Sequence, residues 1–215
     1  MKENRKTFFA RLQMALAPSE VNLVRLAYIV VKEVHRGQVR EERGENGEPL
    51  RYFEHLRRAT LIAIDDLKLH DVVVICELLL HDSVEDRDLE PHFIEQFFGR
   101  DIARGVLTVT KVEGETKAET AARVFASGDW RFMTAKLCDR LDNMRSLRDC
   151  SAEKRMRKIK ETREYYMEGF HRLACELAPP VYRPAFVASV NELELLLRNL
   201  EETPDLVALE ATPPE

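Results

Sequence analysis

The chain has 215 residues, enough for one domain with a real hydrophobic core but not for several. Hydrophobic residues at 45% beside charged residues at 33%, with only 8 Gly and 9 Pro, exclude a disordered or fibrous chain. The formal net charge of -5 argues against non-specific binding of a nucleic acid polymer, which needs a basic face to release counterions; a small anionic ligand held by a local metal and a few Arg or Lys is still allowed.

Apolar residues recur at helical spacing along nearly the whole chain and strict alternation is almost absent, so the fold class is all-α with no strands needed. A short helix is predicted over 4–16. Ala17-Pro18-Ser19-Glu20 ends it and caps a second over about 19–36, apolar at Val21, Val24, Leu26, Ile29, Val30 and Val34. Residues 37–49, GQVREERGENGEP, read as a charged, Gly-bearing loop. Helices follow over 51–65 and 70–83, the second so apolar (VVVICELLL) that it must be buried on most sides. Glu90-Pro91 opens another through Phe98, with Pro in the first turn where its missing N–H costs little. The series continues over 99–111, 116–126, 129–149 and 151–177, is closed by Pro179-Pro180, and ends in an amphipathic helix over about 184–199. Residues 1–200 thus form a single domain, and 201–215 a frayed acidic tail.

Cys76, Cys138, Cys150 and Cys175 are far apart with no Cys-x-x-Cys pair, and read as reduced core thiols of a cytoplasmic protein. The N-terminal segment has no apolar leader core, and no stretch approaches the roughly 18 apolar residues of a membrane span.

The chemistry concentrates in two strings. His81-Asp82-Ser83-Val84-Glu85-Asp86 ends a helix otherwise built of Val, Ile and Leu. If the helix continues, His81 and Glu85 fall at i, i+4, as do Asp82 and Asp86, and three carboxylates so close need a cation among them. In Lys136-Leu137-Cys138-Asp139-Arg140-Leu141-Asp142-Asn143-Met144, one helix face carries Lys136, Asp139 and Asn143, which can hold a metal and read a polar ligand. Alone, that face would be a solvated stripe with a weak ion pair. His55 is the third element: two imidazoles and two carboxylates make a mixed nitrogen and oxygen set suited to manganese(II), iron(II) or zinc(II), with positions left for water and substrate. Such a metal produces a nucleophile from water near neutral pH. Gly-x-Ser-x-Gly, P-loop and Rossmann fingerprints are absent.

The pattern HD-x-x-ED, followed about 50 residues later by K-L-x-D-R-L-x-N-M-R-[ST]-L, resembles the hydrolase domain of the RelA/SpoT superfamily, a branch of the HD superfamily whose members remove the 3′-pyrophosphate of the alarmone (p)ppGpp in the stringent response. The likeness covers roughly residues 20–180 and includes Gly47-Glu48-Pro49, Val109-Thr110-Lys111 and Glu161-Thr162-Arg163-Glu164-Tyr165-Tyr166. With no synthetase domain following, the chain is most similar to small stand-alone alarmone hydrolases. The resemblance implies an HD-domain bundle of about eight to ten helices. It makes His55, His81, Asp82 and Asp139 the ligands of a metal, conventionally manganese(II). It makes Glu85 and Asp86 the catalytic pair, Asn143 the guanosine-side contact, Ser146 a nearby hydroxyl, and Lys136 a cation near the phosphates. The family's Arg-Lys-Ser-Gly-Glu-Pro-Tyr is replaced by an enlarged loop, so the base-contacting arginine is Arg40 first and Arg43 second; Leu56 stands where Pro is usual, and Asp142 where many members have His. These departures keep two other readings open: an HD-type phosphohydrolase of another nucleotide such as ppApp or NADPH, and a non-catalytic alarmone-binding module. His35, His70, His92 and His171 are expected to be structural. Phe97, Phe98, Tyr165 and Tyr166 are expected in the core, and Arg155, Arg157, Lys158 and Lys160 on a solvated face from which one of them could reach substrate phosphates.

Overall fold

Asn4 begins the first helix by accepting hydrogen bonds from the N–H groups of Lys6 and Thr7, which a helix start would otherwise leave unpaired. The computed structural model describes residues 3–43, 47–87 and 89–203, apart from the side chains of Arg43, Asp86, Arg87 and Asp149. Helix α1 is Arg5–Gln13 and α2 Pro18–Val34, with Pro18 in the first turn. Then come α3 (Tyr52–Leu61), running on into a π-helical turn at Ile62–Asp66, α4 (Val72–Leu80), α5 (Ser83–Arg87), α6 (Pro91–Phe98), α7 (Arg100–Val109) and α8 (Lys117–Ala126). The long α9 (Trp130–Ser146) ends in a 3-10 turn, and α10 (Ala152–Tyr165), α11 (Met167–Arg172) and α12 (Arg183–Glu201) complete the series. Among the described residues no helix is long and apolar enough to cross a membrane.

Two helices carry the interior. In α4 every residue from Val74 to Leu80 is buried, as the continuous apolar run requires, and in α9 every residue from Phe132 to Met144 is. Helix α4 packs on α2, α3, α7 and α9, and the turn at its C-terminal end meets α3 and α9. One apolar cluster lies on the α1–α2 side, around Phe8, Tyr28 and Leu79; the other joins α9, α11 and α12 around Phe132, Phe170 and Leu193.

The structure departs from the sequence reading in four places. The 37–49 segment holds a small antiparallel hairpin, β1 (Val39–Arg43) with β2 (Pro49–Arg51), an addition that leaves the fold all-helical in class. Alternate residues Arg40 and Glu42 share one face of β1 and form an ion pair, a stabilisation that hydrophobic periodicity does not register. Predicted helix 70–83 stops at His81, turns, and restarts as α5; predicted helix 151–177 divides at Tyr166. Gly169 lets the α11 backbone close on the Phe125 ring, since a Cβ there would lie 2.3 Å from it. Cys175, Phe97 and Tyr165 are exposed rather than in the core, while Cys76, Cys138, Cys150, Phe98 and Tyr166 are buried. The acidic tail beyond residue 203 lies outside the described residues, and α12 extends to Glu201.

Candidate active site

His55 and Asp139 face one another from α3 and α9, and the turn closing α4 brings His81 and Asp82 beside them. His55 Nδ1 is 2.7 Å from Asp142 Oδ2, and a carboxylate can only accept, so Nδ1 carries the proton. His81 Nδ1 is likewise 2.8 Å from the Leu78 carbonyl. Both imidazoles therefore turn Nε2 toward the same point. His55 Nε2 lies 3.3 Å from Asp139 Oδ1 and 3.8 Å from Asp82 Oδ2. His81 Nε2 lies 3.2 Å from Asp82 Oδ2 and 3.8 Å from Asp139 Oδ1. Metal–ligand bonds of about 2.0–2.2 Å place neighbouring donors roughly 3–3.5 Å apart, which this set meets. His81 Nε2 is fully buried without a hydrogen-bond partner, a polar atom that a cation would satisfy. His55, His81 and Asp82 also converge closely enough to hold an ion by themselves.

Charge supports the same conclusion. Burial opposes ionisation at all these groups, yet the neighbouring imidazoles hold Asp82 and Asp139 far below the usual carboxylate range. In return the two carboxylates outweigh burial at His81 and lift it to about 10, so without a metal its Nε2 holds a proton that a bound cation would displace. With that proton displaced, two carboxylates facing two neutral imidazoles would carry a charge of about -2, the complement of one divalent cation. The surroundings fix the carboxylates further: Tyr52 donates its O–H to Asp82 Oδ2 at 2.7 Å, and Asn143 donates Nδ2–H to Asp139 Oδ1 at 2.7 Å.

Above the cluster opens a cavity of about 440 Å³. Lys111, Lys117, Lys136 and Arg140 line it, and α10 contributes Lys154, Arg157 and Lys158, which share a face at i, i+3, i+4. Burial, with the Arg140 guanidinium second, lowers Lys158 to about 8. A ring of cations over a carboxylate–imidazole floor suits a small polyanion.

An HD-domain family model matches residues 27–173 of the chain. The chain belongs to the HD-domain family. HD domains bind divalent metals, in keeping with the His/Asp cluster. Among curated relatives, the bifunctional (p)ppGpp synthase/hydrolase SpoT of Escherichia coli is 33% identical over 171 residues, covering 75% of this chain and 23% of that protein. A GTP pyrophosphokinase of Streptomyces coelicolor is 35% identical over 162 residues, 72% of this chain and 18% of its own length. The chain thus spans less than a quarter of these relatives. Among solved structures, a metazoan ortholog of SpoT that hydrolyzes ppGpp superposes with a TM-score of 0.64 at 24% identity, over 89% of this chain and 99% of that one. The likeness establishes a shared fold.

Within this HD domain the four expected ligands come together. Glu85, on α5, lines the cavity, where its Oε2 accepts the Lys111 N–H at 3.1 Å and its Oε1 is 3.7 Å from Lys117 Nζ. Lys136 Nζ is 4.0 Å from Asp139 Oδ2, and unlike a solvated stripe this face of α9 is buried. Arg40 lines the cavity too, clamped by both oxygens of Glu42 at 2.8 Å and donating to Asn143 Oδ1 at 2.7 Å. Ser146 instead borders a neighbouring cavity, its Oγ 2.8 Å from the Asp142 carbonyl. The side chains of Asp86 and Arg43 lie outside the described residues.

Three contributors went unread in the sequence. Tyr52 sits three residues before His55, a spacing that could have flagged it; His35 stacks on its ring at 4.8 Å. Asp142 was singled out only as a departure, although it stands three residues after Asp139 on the same helix. The basic stretch of α10 is not one solvated face: Arg157 and Lys158 line the cavity and Arg155 is buried against the Arg148 and Cys150 carbonyls. Arg157 and Lys160 are both exposed, so the stretch is solvated in part.

Proposed function

We propose that the chain is a metal-dependent (p)ppGpp 3′-pyrophosphohydrolase, converting alarmone and water to GDP or GTP and pyrophosphate. The observation that carries this reading is the four-donor cluster at the floor of a cavity ringed by cations. His55, His81, Asp82 and Asp139 would hold the metal, assigned as manganese(II) on the family resemblance, the mixed nitrogen and oxygen set suiting iron(II) or zinc(II) as well. When bound, the metal supplies Lewis-acid activation of water and of the phosphoryl group near neutral pH.

The chain's residues divide the remaining work. Glu85, one turn beyond Asp82, accepts the proton of the attacking water, with Asp86 assigned to the same task. Water oxygen bonds to the phosphorus carried on the ribose 3′-oxygen, the 3′ O–P bond breaks, and the 3′-oxygen recovers a proton. Lys136, closest of the cavity lysines to the ligand carboxylates, steadies the charge that develops on the transferring group. Lys154, Arg157 and Lys158 hold the remaining phosphates. Arg40 and Asn143 face the nucleoside.

The clamp on Arg40 favours a second reading in which the same machinery takes ppApp or NADPH, because an arginine whose Nε and Nη2 are already held by Glu42 and Asn143 has less freedom to select guanine. Incubating the purified chain and manganese(II) with ppGpp, ppApp or NADPH separates the two. Pyrophosphate from ppGpp, abolished by EDTA and by Asp82→Ala, is expected. Turnover of only another nucleotide moves the assignment to the second reading, and binding of metal and ppGpp without any turnover makes the chain an alarmone-binding module.

A further inference from the structure

The two imidazoles of the cluster are supported differently. His81 leans on a neutral acceptor, the Leu78 carbonyl, whereas His55 leans on a carboxylate, Asp142, that is itself buried. Asp142 is in turn gripped by Arg58, whose Nε is 2.7 Å from Oδ1 and whose Nη2 is 3.0 Å from Oδ2. Each of the two helices that supply these groups carries a ligand and, three residues on, one member of the supporting pair. On α3 these are His55 and Arg58; on α9, Asp139 and Asp142. Neither Asp142 nor Arg58 borders the cavity over the cluster. Both line a second cavity of about 380 Å³ behind it, with Leu61, Asp65 and Arg145.

We propose that the Asp142–Arg58 pair is a positioning device acting through His55, and that it sets the metal affinity of the centre from outside the substrate cavity. The inference rests on the metal-centre reading above. Asp142 locks the proton on Nδ1, so that His55 has only Nε2 to offer, and its negative charge makes that nitrogen a stronger donor. The Arg58 fork fixes the carboxylate plane through two hydrogen bonds and keeps the buried charge paired.

The test is titration of the metal-free full chain with manganese(II) alone, reading free ion by electron paramagnetic resonance, with helical content followed by circular dichroism. Asp142→Ala and Asp142→Asn are expected to weaken manganese(II) binding by roughly 10- to 100-fold, the range typical of lost outer ligand partners, with Asn the milder because it keeps an acceptor but not the charge. Arg58→Gln removes only the outer member and is expected to weaken binding by a smaller factor, about threefold or more. Wild-type affinity in folded Asp142→Ala overturns the proposal. If the Asp142 variants do not fold, Arg58→Gln decides, since Arg58 is a third exposed and its loss leaves the core packed; unchanged affinity there overturns the proposal equally. Failure of the wild-type chain itself to take up manganese(II) refutes the metal-centre reading instead, and so is told apart from failure of the pair.

Discussion

Glu77 is fully buried in α4 with neither carboxyl oxygen hydrogen-bonded to another described group. Gly105 makes room for it, as a Cβ at that position would lie 2.6 Å from Oε2. Burial, above all, raises its pKa well above 4.5 and so favours the neutral acid. Replacing it with Met, of similar length and no hydrogen-bonding demand, removes an unsatisfied polar group whose burial costs about 1–3 kcal/mol on mutational scales. Between the unfolded value of 4.5 and the raised folded value, the folded state keeps a proton that the unfolded state has released. Wild-type stability from this group is therefore greatest below pH 4.5 and falls as pH rises, by at most about 1.4 kcal/mol per unit. Glu77→Met lacks that slope, so its advantage widens with pH, whereas Glu77→Gln shows only the widening. Urea unfolding at pH 5 and pH 7 measures both, and each kcal/mol should move the melting temperature by about 2–4 °C. A Met variant no more stable than wild type at pH 7, or a gain that does not depend on pH, refutes the reasoning.

Other consequences can be measured as directly. Gly105→Ala drives a Cβ into Glu77 and Phe132 and should cost about 1–3 kcal/mol in urea unfolding, with less than additive loss when combined with Glu77→Ala. Tyr52→Phe removes the 2.7 Å hydrogen bond to Asp82, worth about 1.5–3 kcal/mol to a charged acceptor, and should weaken manganese(II) binding by roughly tenfold or more in calorimetry while leaving the circular dichroism spectrum intact. Because Lys158 sits at about 8, its charge is present below that pH and lost above it; nucleotide affinity should fall as pH rises past 8, and Lys158→Met should flatten that fall in equilibrium titrations.

Much of this architecture is legible in the chain itself. The VVVICELLL run announces a buried helix, and polar groups at its end, His81 and Asp82, have no reason to be there unless they bind something. Asp139 and Asn143 show their common face through helical spacing alone, and α9 carries that face inward as the reading requires. Contacts between residues distant in sequence are what the chain hides. Asp142 meets His55 across 87 positions and Arg40 meets Asn143 across 103, and no local pattern encodes either. The hairpin escaped for a related reason: Arg40 and Glu42 are a buried ion pair only because the chain folds back on α9, and as a string they look like a solvated loop. Lys154, Arg157 and Lys158 have the spacing of any exposed helix face, and the packing of α10 alone turns them toward the cavity.

Hydrolysis of ppGpp in oxygen-18 water with manganese(II) tests the central claim most directly. Attack on the phosphorus at the ribose 3′-oxygen puts the label in released pyrophosphate and none in GDP, and Asp139→Ala should abolish the signal. Label in the nucleotide, release of single phosphates, or full turnover by Asp139→Ala would contradict the account.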